Sequence, residues 1–178
     1  MILHLVRHPP PLIEAGICYG RLDVPADLDR SAADALRAEL PPGLPVWSSP
    51  LRRCRQLAEL LHPGPAIDER LAEMNFGDWE GMAWDAIPRH ELDAWAADVA
   101  GYAPPGGESP SAVQGRALAF VAGLAVPEAV VVTHAGVIRV LVAHWRQLAA
   151  REWGSLRIPF AGRLQVCLED DGRCRFIH

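Results

Sequence analysis

A chain of 178 residues, half of them apolar and 22% charged, can build one sizeable hydrophobic core, and it has no disordered or fibrous bias. Its net charge of -5 argues against strong binding to nucleic acid or to an acidic membrane surface. No apolar run is long enough to span a bilayer, and the start Met1-Ile2-Leu3-His4-Leu5-Val6-Arg7 lacks the layout of a secretory signal, so a cytoplasmic protein is expected.

Along the chain, Ile2–Val6 reads as a short buried strand ending in Arg7-His8, and Pro9-Pro10-Pro11 forbids a helix directly after it. A loop broken by Gly16, Gly20 and Pro25 leads to Asp29, which caps a helix over Arg30–Leu40 with Ala33, Leu36 and Leu40 on one face. Pro41-Pro42-Gly43 ends it. Leu44–Trp47 is a second strand. Ser49 as cap and Pro50 as first helical residue predict a helix to about Leu61. An extended piece follows near Ala66–Ile67, and residues 71–82, rich in Gly and Trp, carry no clear period.

Helices are expected over Pro88–Ala100 and from Ser109-Pro110 to about Leu124. Ala129–Thr133 is a Val-rich strand of the kind buried on both faces, and Gly136–Leu148 is an apolar helix. Arg163–Leu168 and Cys174–Ile177 flank Asp170-Asp171-Gly172, a hairpin signal. Strands alternating with helices predict a single α/β domain over residues 1–178, with a mainly parallel sheet and an antiparallel element at its C-terminal end. Cys18, Cys54, Cys167 and Cys174 form no C-x-x-C pair, and in a chain of this size they are expected to be reduced.

Ligands of open α/β sheets bind beyond the carboxyl ends of the strands. His8 follows one strand, His134 another, Arg7 precedes His8, and Arg53 lies one turn into the helix after a third. The chain has no lysine, so all 17 basic residues are arginine. That excludes a Walker-type phosphate loop and Schiff-base chemistry, and any phosphate must be held by guanidinium forks. Two imidazoles and two guanidiniums on one rim suit phosphoryl transfer, whose transition state spreads negative charge over three equatorial oxygens. A neutral imidazole can take the phosphoryl group if its other nitrogen is held by a carbonyl or carboxylate. A second, protonated histidine can donate to the phosphoryl oxygens, and a carboxylic acid must protonate the leaving oxygen. His4, His62, His90, His144 and His178 show no metal-ligand spacing, so no metal and no cofactor is expected.

Four blocks carry a resemblance. Leu5-Val6-Arg7-His8, Ser48-Ser49-Pro50-Leu51-Arg52-Arg53, the stretch from Leu71-Ala72-Glu73 to Gly77-Asp78-Trp79-Glu80-Gly81, and Val132-Thr133-His134-Ala135-Gly136 resemble, in order, the histidine phosphatase (phosphoglycerate-mutase-like) superfamily. The resemblance implies a three-layer α/β/α sandwich, metal-free hydrolysis of a small-molecule phosphate ester through phosphohistidine on His8, and a pocket completed by Arg7, Arg53 and His134. It implies Glu73 as the acid, with Asp78, Glu80 and Glu108 as rival carboxylates, and the amide of Gly136 as a further donor at a helix N-terminus. Pro9 departs from the pattern, in which Gly or Thr comes right after Arg-His; it lacks an amide but keeps a carbonyl able to orient His8.

Gly16-Ile17-Cys18-Tyr19-Gly20-Arg21-Leu22-Asp23-Val24-Pro25 also resembles a stretch of α-ribazole phosphatases of cobalamin synthesis, as do Trp84, Trp95 and Pro104-Pro105-Gly106-Gly107-Glu108-Ser109. This narrower resemblance implies α-ribazole 5′-phosphate as substrate. Tyr19, Gly20 and Asp23 then belong to the substrate loop, and Tyr19 with a tryptophan serves the aromatic ring. The competing readings are a general or sugar-phosphate phosphatase, a phosphoglycerate-type mutase on the same fold, and a non-catalytic protein that binds phosphate ligands.

Overall fold

The structure, a computed structural model, describes residues 1–169 and 173–177. Its centre is a six-stranded sheet of β1 (Ile2–Arg7), β2 (Val46–Ser48), β3 (Ala66–Ile67), β4 (Glu128–Thr133), β5 (Arg163–Leu168) and β6 (Cys174–Ile177), in the order β3-β2-β4-β1-β5-β6. β1, β4, β2 and β3 pair in parallel, while β5 and β6 run antiparallel at one edge. The sheet is therefore mixed, as the sequence predicts, with the hairpin strands in place. The turn signal Asp170-Asp171-Gly172 lies outside the described residues.

Alternation along the central strands divides the core in two. Leu3, Leu5, Ala129 and Val131 face α4 (Pro110–Ala122) and α5 (Ala135–Trp145). Val6, Val130 and Val132 point the other way, against α1 (Arg30–Glu39) and α2 (Arg52–Leu61). Successive side chains of a strand leave opposite faces, so a continuous apolar run requires cover on both sides, and the three layers follow from that. A third cluster stands apart from the sheet. There Trp79 is buried among Phe76, Trp84, Trp95 and Tyr102, and its indole donates to Glu91 at 2.5 Å. This packing goes with short 3-10 turns at Gly77–Trp79 and Trp84–Ala86, followed by α3 (Arg89–Ala97), while an earlier turn at Glu69–Leu71 packs Leu71 into the first core.

Two local expectations change. α2 begins at Arg52 rather than Pro50, and its N-cap Leu51 has no capping side chain. Asp23 supplies the cap from a distant loop, accepting the Arg52 amide at 2.6 Å. A 3-10 segment at Ala150–Ser155, not anticipated from the sequence, leads to the loop that closes over Arg7.

Candidate active site

The parallel register places the site. Arg7 pairs with Thr133, and Val132 with Ser48, so the residues that leave β1, β4 and β2 at their carboxyl ends are neighbours. The ladder continues one residue further, with the His8 amide donating to the Thr133 carbonyl at 3.0 Å and the Ser49 amide to Val132 at 3.0 Å. The His8 and His134 rings consequently lie side by side, with centroids 5.1 Å apart. Both are buried, as is the whole of Arg53.

Pro9 does for His8 what the mechanism needs. Its carbonyl accepts the proton of His8 Nδ1 at 2.6 Å, which leaves Nε2 as the lone-pair nitrogen. Burial, with Arg53 and Arg7 adding like charge, pushes the His8 pKa down to about 3, so the ring is neutral. His134 is also held well below the usual imidazole range, first by burial and then by Arg53 and His8. The protonated second histidine expected from the sequence is thus neutral in the free site, first because it is buried and then because Arg53, His8, Arg116 and Arg7 disfavour a further positive charge. Its Nε2 lies 2.7 Å from the Ser49 hydroxyl and 3.4 Å from Cys54 Sγ. The same hydroxyl accepts the Leu51 amide at 3.3 Å, so Ser49 ties the start of α2 to His134.

Arg7 donates through Nη1 to the Ile158 carbonyl at 2.5 Å, and its guanidinium stacks 3.5 Å from the Phe160 ring centroid. Arg53 donates to the carbonyls of Leu22 at 2.8 Å and Gly20 at 2.5 Å. In both residues the buried Nε has no acceptor. Buried donors without a partner are rare and costly, and here two of them flank one neutral imidazole.

Glu73 sits at the edge of this cluster. Its carboxylate accepts the Gly136 amide at 3.1 Å and the Met74 amide at 3.0 Å. The helix-terminal amide that the sequence reading gave to the phosphate pocket therefore holds the carboxylate instead. A Cβ on residue 136 would collide with Glu73 Oε1, so only glycine lets the carboxylate sit there. The rival acids are engaged or remote. Glu80 accepts the amides of Arg21, Leu22 and Phe76; Glu108 pairs with Arg116 at 2.8 Å and accepts the Asn75 amide; Asp78 is exposed.

The substrate-loop residues are disposed less directly. Tyr19 lies beneath Arg53, 5.3 Å from ring centroid to guanidinium. Gly20 gives its carbonyl to Arg53 and is packed so closely on the Met74 carbonyl that no side chain fits. Asp23 caps α2. These three position the loop and the cations. The aromatic wall is built elsewhere, by Phe76, Trp95 and Trp153, around a pocket of about 210 Å³ that Glu73 and Gly136 also line. Sequence reasoning missed Ile158, Phe160 and Trp153 as neighbours of the site, and nothing in their local sequence marks them; Ser49 lies in a motif block but was read there as a helix cap.

Residues 3–177 match the histidine phosphatase superfamily, branch 1. The chain belongs to this superfamily, and it is a phosphatase. As a histidine phosphatase it is 34% identical over 175 residues to a glucosyl-3-phosphoglycerate phosphatase of Mycolicibacterium vanbaalenii, covering 85% of this chain and 76% of the relative. The solved mycobacterial glucosyl-3-phosphoglycerate phosphatase in complex with VO3 superposes with a TM-score of 0.84 at 31% identity, over 99% of this chain and 96% of that one. A phosphoglycerate mutase structure from Thermus thermophilus superposes at 0.78 with 33% identity, over 98% and 96%. These neighbours bear out the phosphoglycerate-mutase-like α/β fold. The narrower expectation of an α-ribazole phosphatase finds no support among them, and the sugar-phosphate alternative fits them better. Among the described residues no helix is long and apolar enough to cross a membrane.

The neutral histidines of this histidine phosphatase also make its stability depend on pH. Unfolded histidine titrates near 6.5, whereas folded His8 resists protonation to about pH 3. Between these values the unfolded chain binds protons that the native one excludes. Stability is therefore complete above pH 6.5 and falls as pH drops, by up to about 1.4 kcal/mol per pH unit for each such histidine. Urea unfolding at neutral pH and near pH 5 should show this loss, with a shallower dependence in His8→Asn. Equal slopes in both proteins would show that His8 is not held neutral.

Proposed function

We propose that the chain, acting as one catalytic domain, hydrolyses a small phosphate monoester through a phosphohistidine on His8, without metal or cofactor. The observation that carries this reading is the pair of buried, acceptorless Nε donors of Arg7 and Arg53 beside a neutral His8 whose Nδ1 is tied to Pro9. A phosphoryl group between the arginines supplies the missing acceptors. Its negative charge also reverses the electrostatic balance around His134, which then donates to a phosphoryl oxygen.

In the first step His8 Nε2 bonds to phosphorus as the ester P–O bond breaks, and Glu73 gives its proton to the departing oxygen. In the second, Glu73 takes a proton from water as that water attacks phosphorus and the P–N bond breaks. Phosphate leaves, and Glu73 is protonated again. The arginines stay in place throughout, so the charge of both transition states meets fixed donors.

For the substrate we favour a sugar-phosphate or phosphoglycerate ester, on the strength of the glucosyl-3-phosphoglycerate phosphatases among the relatives. One observation supports α-ribazole 5′-phosphate as a second reading: the wall of Phe76, Trp95 and Trp153 suits a flat aromatic leaving group. Phosphate release should be measured from glucosyl-3-phosphoglycerate, phosphoglycerates, sugar phosphates and α-ribazole 5′-phosphate, with and without EDTA. The expected result is preference for the glycerate or sugar esters, unchanged by chelator. Preference for the ribazole ester would reverse the assignment, and inactivation by EDTA that added metal reverses would defeat the metal-free mechanism.

A further inference from the structure

We infer that Arg139 is a specificity residue that receives a carboxylate carried by the alcohol part of the substrate. This rests on the phosphatase reading above and adds a substrate class to it. Arg139 lies one turn after Gly136 on α5, so the two share a helix face. Both line the pocket beside Glu73, while Arg7, His8, Arg53 and His134 do not. Since Glu73 serves the leaving oxygen, the body of the leaving alcohol extends into this pocket.

The two charged groups of the pocket, Glu73 and Arg139, do not pair with each other. Apart from Glu73 and Arg139 its lining is uncharged, with Met74, Phe76, Val113 and Val140 prominent. Arg139 is half-buried, and among the described residues its hydrogen bonding consists of Nε to the Leu156 carbonyl at 3.0 Å. No carboxylate stands within ion-pair distance of it there. Arg116, of similar burial, is answered by Glu108 at 2.8 Å. Arg139 instead stands near a second cation, Arg7, on which it and Glu73 act with opposite sign, and the Glu73 carboxylate is taken up by the Gly136 and Met74 amides rather than by Arg139. A cation kept against an apolar wall without a counter-charge is costly, and an anionic ligand removes the cost. The free Nη pair forms a planar fork that matches a carboxylate in two-point contact. A second phosphate would call for more cations than the one this pocket holds.

The test compares 3-phosphoglycerate with glycerol 3-phosphate, which has a hydroxymethyl group in place of the carboxylate, and with p-nitrophenyl phosphate. Wild type, Arg139→Gln and Arg139→Lys are assayed for kcat and KM. Wild type should prefer 3-phosphoglycerate to glycerol 3-phosphate. Arg139→Gln should lose about 10- to 100-fold in kcat/KM on 3-phosphoglycerate, mostly through KM, with little change on the other two esters. Arg139→Lys should recover part of that loss. An equal loss on all three esters would show that Arg139 holds the phosphate or supports the Leu156 loop, and would overturn the inference. So would a wild type indifferent to the carboxylate, even with the phosphatase reading intact. Failure of wild type to turn over any of the three would overturn that reading and this inference with it.

Discussion

Replacing His8 by alanine is expected to lower turnover by at least about 10⁴-fold and to abolish a covalent phosphoenzyme. The size of the effect follows from the arrangement. Arg7, Arg53 and His134 only stabilise charge that develops on the phosphoryl group, and without a nucleophile they have a bound ester and no reaction to assist. Among the described residues, His134 has its Nε2 at the Ser49 hydroxyl, and the other nucleophile beside it is a thiol. The Cys54 thiol is buried, and burial pushes its pKa up, which keeps it protonated. Phosphate-labelled ester quenched in alkali should leave label on wild type, since phosphohistidine survives base, and none on His8→Ala. Label retained by the variant would place the nucleophile elsewhere. Because the acceptorless Nε donors of Arg7 and Arg53 remain, His8→Ala should still bind inorganic phosphate, which separates loss of chemistry from loss of the site.

Glu73→Gln should produce the second largest effect, about 10² to 10⁴ in kcat on an alkyl phosphate. Glutamine keeps the shape and one acceptor oxygen but transfers no proton. The leaving group divides the two steps. Nitrophenolate departs without protonation, so p-nitrophenyl phosphate should give a burst of about one equivalent, followed by slow turnover as water attack stalls. An alkyl ester should show no burst. Gly136→Ala should copy this pattern without touching the carboxylate chemically, because the added methyl takes the space of Glu73 Oε1. The atom displaced is the mobile end of a side chain, so the melting temperature should change little. Full activity in Glu73→Gln would remove Glu73 from the mechanism, and full activity in Gly136→Ala would show that its carboxylate acts from some other position.

The sequence was most readable where a single strand or helix is its own explanation. A parallel strand covered on both faces must be a continuous apolar run, so Ile2–Val6 and Ala129–Thr133 stand out, and the polar residues that end them are marked as rim residues. His8, Arg7 and His134 were legible for that reason, and Arg53 through its place one turn into the following helix. The carbonyl of Pro9 was legible too, since proline loses its amide and not its oxygen. Stretches without a period were not. Residues 71–88 are ordered by an aromatic cluster assembled from Phe76 to Tyr102, which no local pattern displays. The start of α2 depends on Asp23, 29 residues earlier, which accepts the Arg52 amide.

By itself, the sequence determined the layered fold and placed Arg7, His8 and His134 at the strand ends, because burial on both faces and strand-end position are local consequences of residue order. Only the tertiary structure decided how Glu73 is held, that the Gly136 amide serves Glu73, that Tyr19 lies beneath Arg53, and that the pocket beside Glu73 is lined by Phe76, Trp95, Arg139 and Trp153. Those residues come from segments far apart in the chain, and what brings them together is packing between elements, whose partners a one-dimensional pattern does not specify.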